Sequence, residues 1–202
     1  MKRMVAVWVA ILCSGLVYSG AAAAPGVLPA DVAALREMVG QSYYLAHNLH
    51  GDRARRKIYS TNYQLADALL PWGTEVRIAG VHRNYLAFQD GKTGLVWNYW
   101  FAGKTRKSVS LTEHVGRIFI KDIEPLRVRV AGLSELDRDG IHEGRALIGM
   151  SRIGVLVAIG YPPEFANSRE IMAARDWHYW LSRFDKVTIS FDRRDLVSRI
   201  VD

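Results

Sequence analysis

Cysteine is almost missing from this chain: Cys13 is the one thiol in 202 residues. It lies in an apolar N-terminal stretch, so a chain that loses that stretch can form no disulfide and offer no thiolate as nucleophile or metal ligand. Proline is scarce too, with six residues, and the 17 glycines follow no collagen-like period. No charge sign dominates heavily: 27 Lys plus Arg face 20 Asp plus Glu, and half of the residues are apolar. That balance excludes an acid-rich or disordered polymer and leaves a globular chain of one large domain or two small ones. Without cross-links such a fold must be held by its core, which at this size can bury roughly 70% of the unfolded surface.

The N-terminus indicates a compartment. Lys2 and Arg3 precede an almost unbroken apolar run over residues 4–17, and small residues then lead to Ala21-Ala22-Ala23. This order reads as a secretory signal peptide over residues 1–23, cleaved at an A-x-A site so that Ala24 begins the mature chain. The alternative is a retained membrane-spanning anchor, against which the Ala and Gly content of the last third counts. Leu12, just before Cys13, does not suit a bacterial lipid anchor. Loss of Lys2 and Arg3 lowers the formal charge from +7 to +5. The expected location is the periplasm or the exterior, peripheral to the outer membrane, with no transmembrane span in the mature chain. The densest cationic runs are Arg53, Arg55, Arg56 and Lys57, and then Lys104, Arg106 and Lys107. In an exported protein they point away from nucleic acid and toward anionic lipid or cell-wall polymers, if they are more than solvated loops.

Residues 24–40 read as a Pro/Gly-rich leader and a short helix over 31–39, with Val32, Leu35, Met38 and Val39 on one face and Gly40 as its stop. Over 41–125 the texture is strands and turns. Strands are expected at 43–49, 57–63, 75–78, 85–88 and 95–101, the last two joined by a hairpin loop whose Gly91 and Gly94 supply positive φ. Ser110 and Glu113 form a capping box for a helix carrying Val115, Ile118 and Phe119. Residues 127–133 read as a strand or linker, with a domain boundary near 125–137. The last module, 134–202, starts with a turn at Asp139-Gly140 and a short helix over 141–147. A second helix follows, capped by Ser151, striped with Val155, Leu156 and Ile159, and stopped by Gly160. Strands at 177–181, 187–191 and 196–201 complete it. The predicted fold class is therefore α+β: a small antiparallel β-barrel module, then a module of two helices on a three-stranded antiparallel sheet.

Gly149-Met150-Ser151, Val155, Ala158, Gly160, Pro162, Trp177-x-Tyr179, Phe191 and Leu196 together resemble the pattern of the BamE family, also called SmpA/OmlA. The resemblance spans about 70 residues. It implies a non-enzymatic envelope domain, two helices on three strands, that binds other proteins or lipid. The family's members in outer-membrane assembly are typically lipoproteins, whereas this chain lacks a usable lipidated Cys and carries an extra N-terminal module. That module, through Pro71-Trp72-Gly73-Thr74-x-Val76, Phe88, Thr93-Gly94 and Tyr99, looks like the Src-homology-3-like barrels of exported bacterial proteins. This second likeness implies aromatic loops that bind extended peptides or wall polymers.

Catalytic and metal motifs are sparse. Gly91-Lys92-Thr93 and Gly103-Lys104-Thr105 lack the glycine a phosphate loop needs five positions earlier, where Leu86 and Asn98 stand. His47-x-x-His50 with Asp52 has no fourth metal ligand in view and reads as surface histidines. His142-Glu143 lacks a second zinc-protease His. Glu135-x-Asp137-x-Asp139-Gly140 resembles a calcium loop without its bidentate Glu, since residue 146 is Ala, and reads as a turn and helix cap. No G-x-S-x-G elbow marks a nucleophile. No catalytic residue, metal or cofactor is therefore assigned.

Aromatic side chains remain as candidate binding residues: Trp97, Tyr99 and Trp100 in one segment, Trp177, Tyr179 and Trp180 in another. Alternation puts Leu95, Trp97, Tyr99 and Phe101 on one face and Val96, Asn98 and Trp100 on the other; Trp177 and Tyr179 likewise oppose His178 and Trp180. One face must be core, and an exposed indole would be a binding platform. The expected function is non-enzymatic binding of envelope proteins, lipid or cell-wall components. The alternative is a wall-hydrolase accessory or other enzyme with a site at the module junction.

Overall fold

The computed structural model describes residues 30–202, so the expected signal peptide, Cys13 and the expected Pro/Gly leader lie outside the described residues. Among the described residues no helix is long and apolar enough to cross a membrane. The fold is mixed α+β, with a curled eight-stranded sheet, a separate three-stranded sheet and several helices.

Helix α1 (Ala30–Ala34) runs into a 3₁₀ turn at Leu35–Met38 rather than continuing to 39. Val32 and Leu35 are buried as the stripe requires, but Val39 is exposed. The chain then forms β1 (Ser42–Leu45), β2 (Leu49–Asp52), β3 (Lys57–Tyr59) and β4 (Ala68–Leu70). A meander follows: β5 (Glu75–Val81), β6 (Tyr85–Asp90) and β7 (Val96–Trp100). In the β6–β7 hairpin Gly94 has φ +71, as its loop demands, whereas Gly91 lies outside the left-handed region. Gly91 is required for space instead, because a Cβ there would stand 2.9 Å from the Glu75 carbonyl oxygen. Short helices α2 (Gly103–Ser108) and α3 (Leu111–Gly116) lead to β8 (Phe119–Ile120).

The sheet order is β4-β2-β3-β7-β6-β5-β1-β8. It is not wholly antiparallel: β3 lies parallel to β7, with Lys57, Ile58 and Tyr59 opposite Asn98, Tyr99 and Trp100. Inside the curl, Leu45, Leu49, Ile58, Val76, Ile78 and Phe88 form a dry core with Val32 of α1 and Val115 of α3. Burial on that scale supplies the stability here, at roughly 1.5–3 kcal/mol for each large apolar side chain removed from water. Ser110 caps α3 by accepting the Glu113 amide at 3.2 Å. The expected box is half formed, because the Glu113 carboxylate turns to Arg117 instead.

Residues 127–131, expected within a strand or linker over 127–133, instead belong to helix α4 (Glu124–Ala131), with Pro125 in its first turn where a missing N–H costs nothing. Helix α5 (Glu135–Glu143) absorbs Asp139-Gly140, expected as a turn, and ends at left-handed Gly144. Gly140 sits mid-helix because Met150 packs against it; a Cβ would meet the Met150 sulfur at 2.3 Å. Ser151 caps α6 (Arg152–Ile159), accepting the Gly154 amide at 3.0 Å, and Gly160 stops the helix at φ +81. Strands β9 (Asp176–Trp180), β10 (Lys186–Phe191) and β11 (Val197–Val201) pair antiparallel in the order β11-β10-β9. Val155, Ala158, Ile159, Trp177, Tyr179 and Ile189 belong to a second core, to which Leu126 and Val130 of α4 also contribute.

Candidate functional site

Burial separates the six candidate aromatics. Trp97 and Tyr99 point into the first core, and Trp177 and Tyr179 into the second. Trp177 meets Phe191 edge-on and donates its indole N–H to the Ile171 carbonyl at 2.8 Å. The Tyr179 hydroxyl donates to the Gly160 carbonyl at 3.0 Å, and burial pushes its pKa well up. Trp180 is 9% exposed and packs on Phe165, with Lys186 over its ring. These five side chains serve packing, so they offer no open platform. Trp100 alone is half-exposed, on the outer face of β7.

Trp100 belongs to a continuous ladder that the sequence did not reveal. His82 stacks on Tyr85 at 4.3 Å, and Tyr85 on Trp100 at 5.1 Å, both pairs within 20° of parallel. The parallel register then sets Tyr59 opposite Trp100, and Lys57, two residues earlier on the same face, reaches between them. Its ammonium lies 3.9 Å from the Trp100 ring centroid and 4.5 Å from that of Tyr59. Such a doubly faced cation is held by the ring quadrupoles. Tyr59 in turn touches Tyr63 at 5.5 Å. Alternation on β3 could have flagged Lys57 and Tyr59 as co-facial; nothing local tells that they adjoin Trp100.

The ladder ends at a cleft of about 530 Å³ between the two sheets. Lys57, Tyr59 and Tyr63 line it from the curled sheet's side, and Leu181, Ser182 and Arg183 from the β9–β10 turn. Its walls are tied together by the Gln64 amide on the Trp180 carbonyl at 3.1 Å and the Leu65 amide on the Leu181 carbonyl at 2.9 Å.

Beneath the cleft lies a polar seam between the cores. Asn48 donates through its side-chain amide to the Ile141 and Ala158 carbonyls, at 2.7 and 3.0 Å, and accepts from the Trp72 amide at 2.8 Å. Asn62 donates to the Asn48 and Ile159 carbonyls and accepts from the His50 amide. His47 and His50, expected at the surface, are each only 5% exposed. They are buried because the second core closes over them: the His50 Nε2 is bonded to the Gly144 carbonyl, and the His47 ring packs against Gly160. Burial lowers both pKa values, that of His47 to about 4. Among the described residues no cluster of three His, Cys, Asp or Glu could hold a metal ion.

A second bridge joins the Tyr99 hydroxyl to His114 Nε2 at 2.8 Å and His114 Nδ1 to the Glu164 carboxylate at 2.9 Å. Arg117 donates to the same carboxylate oxygen at 3.2 Å. Burial works to raise the Glu164 pKa, but the hydrogen bond and electrostatic pull of His114, together with the Arg117 guanidinium, outweigh it and hold it low. The phenol end of this chain sits inside the first core, where burial pushes the Tyr99 pKa well up, so no substrate atom could meet it there. Asp137, read as part of a calcium-like run, is a double cap: it accepts from Ser134 within α5 and from the Ser151 amide at 2.7 Å.

Comparison with protein-family models, curated proteins and solved structures gives no match for this chain.

Proposed function

We propose that this protein is a non-enzymatic binding protein of the cell envelope, exported by its N-terminal signal and working in the periplasm or peripheral to the outer membrane. In this reading residues 41–125 act as a small barrel-like module and residues 134–202 as a BamE-like module of helices on three strands. The working surface is the outer face of β3, β6 and β7. The observation that carries the reading is the ladder from His82 to Tyr63, four of whose members are aromatic side chains left half-exposed or exposed while both cores are already filled. Exposed aromatics with a fixed ammonium suit a long, ring-bearing polymer, and a cell-wall glycan strand is the ligand we assign. The Tyr99–His114–Glu164 chain, buried at its Tyr99 and His114 end, is structural in this account.

Purified protein starting at Ala24 tests it, since both cores are built from Val32 onward. This chain is expected to pellet with peptidoglycan sacculi, whereas Trp100→Ala and Tyr85→Ala stay in the supernatant with melting temperatures close to the parent's. Equal pelleting of parent and variants, or no pelleting at all, would sink the proposal.

A further inference from the structure

The cleft at the ladder's end carries an uneven charge balance once its internal partners are counted. Asp52 accepts the Arg55 amide at 2.8 Å and the Arg55 guanidinium at 2.6 Å. Asp67 accepts the Arg53 amide at 2.8 Å. The Asp52 charge is thus paired, whereas Asp67 is bonded to an amide and keeps its charge, against the two cations Lys57 and Arg183. Lys57 and Arg183 have no carboxylate partner among the described residues. Lys57 is positioned by two aromatic rings; Arg183 is exposed, its guanidinium 5.8 Å from the Phe184 ring, in a turn that Ser182 and Asp185 close through a 2.5 Å hydrogen bond. Lys57 from β3 and Arg183 from the β9–β10 turn line one cavity, whose wall also holds Tyr59, Tyr63, Leu65 and Leu181 beside Asp52, Arg55 and Asp67. Its volume falls in the range of small-ligand sites.

Resting on the reading above, we propose that this cleft binds the acidic sugar of a wall glycan, a ring bearing a carboxylate. The sugar's apolar face packs on the tyrosines and leucines while its carboxylate lies between Lys57 and Arg183 as a charge-assisted acceptor. A sugar suits the wall better than an acidic peptide because the cleft offers broad ring and aliphatic surface beside the two cations. The polar seam gains a role: it holds the two sides of the cleft together.

Oligogalacturonate and its methyl ester differ only in the carboxylates and are the probes, titrated into the chain from Ala24 by calorimetry. The acid is expected to bind at least ~tenfold more tightly than the ester, and Lys57→Gln and Arg183→Gln each to lose ~tenfold, equivalent to one charge-assisted contact. Binding should also weaken from low to moderate salt. Equal affinity for acid and ester, no binding of the acid, or equal binding of a glutamate oligomer would each overturn the acidic-sugar assignment. If sacculus pelleting persists in any of those cases, the ladder reading stands and the cleft assignment alone has failed.

Discussion

Asn48 and Ile141, far apart in the chain, are joined by a buried 2.7 Å hydrogen bond from the asparagine amide to the helix carbonyl. With the Ala158 carbonyl and the Trp72 amide, that one side chain satisfies three backbone groups from three segments. Removing it leaves the Ala158 carbonyl and the Trp72 amide without that partner, and leaves the Ile141 carbonyl with only its longer bond from the Gly144 amide. Asn48→Ala is expected to cost about 3–5 kcal/mol in urea unfolding, the sum of several unsatisfied buried groups. A cost below about 1 kcal/mol would mean that the seam is wetter or looser than its geometry implies.

The seam also sets a pH dependence. His47 is driven from 6.5 to about 4, first by burial, with the His114 and His50 charges adding and the hydrogen bond to the Asn48 carbonyl opposing. The unfolded chain therefore takes up a proton at a higher pH than the folded one. Stability from this group is fully present above pH 6.5 and is lost as pH falls from 6.5 toward about 4, by about 3 kcal/mol. His50 shifts in the same direction and adds to the slope. Chemical denaturation at several pH values should show the decline, and His47→Gln should flatten it even while lowering the plateau.

Replacing a helical glycine by alanine ordinarily gains up to about 1 kcal/mol. Gly154 of α6 should reverse that sign. A Cβ there would stand 2.0 Å from the Asp137 carboxylate oxygen that holds the Ser151 amide. Gly154→Ala is expected to destabilise by about 3 kcal/mol through overpacking and loss of the shared cap. A neutral or raised melting temperature would show that α5 and α6 can separate without penalty.

The tryptophans divide by the same measurement. Trp177→Ala empties a fully buried site and should cost about 3–5 kcal/mol. Trp100→Ala removes a surface stack and a cation contact, expected at about 1 kcal/mol, and its larger effect should be on ligand binding. Similar losses of stability in both would make Trp100 a packing residue.

Local signals were readable where one segment sufficed. Ser151 as a cap, Gly160 as a stop, and the alternation of Val187, Ile189 and Phe191 each report on a few neighbours, and the structure places them accordingly. Segment 127–133 misled because Val128 and Val130 alternate with arginines as a strand would. Val130 alone is buried while Val128 is 73% exposed, so the pattern reflects a thinly attached helix. The mixed sheet, the ladder and the buried histidines were not legible for one reason. Each depends on which distant segment lies alongside: β7 against β3, or Gly144 and Gly160 over His50 and His47. No local period encodes that choice.

The parallel pair has a kinetic consequence. Lys57 must await Asn98, and Tyr44 must await Ile120, before the curled sheet can close, so its contacts are long in sequence. The three C-terminal strands and helices α5 and α6 join near neighbours instead. Low contact order favours speed. The β9–β11 module is therefore expected to fold before the curled sheet, and pulse-labelled hydrogen exchange should find β9–β11 amides protected before those of β3 and β7.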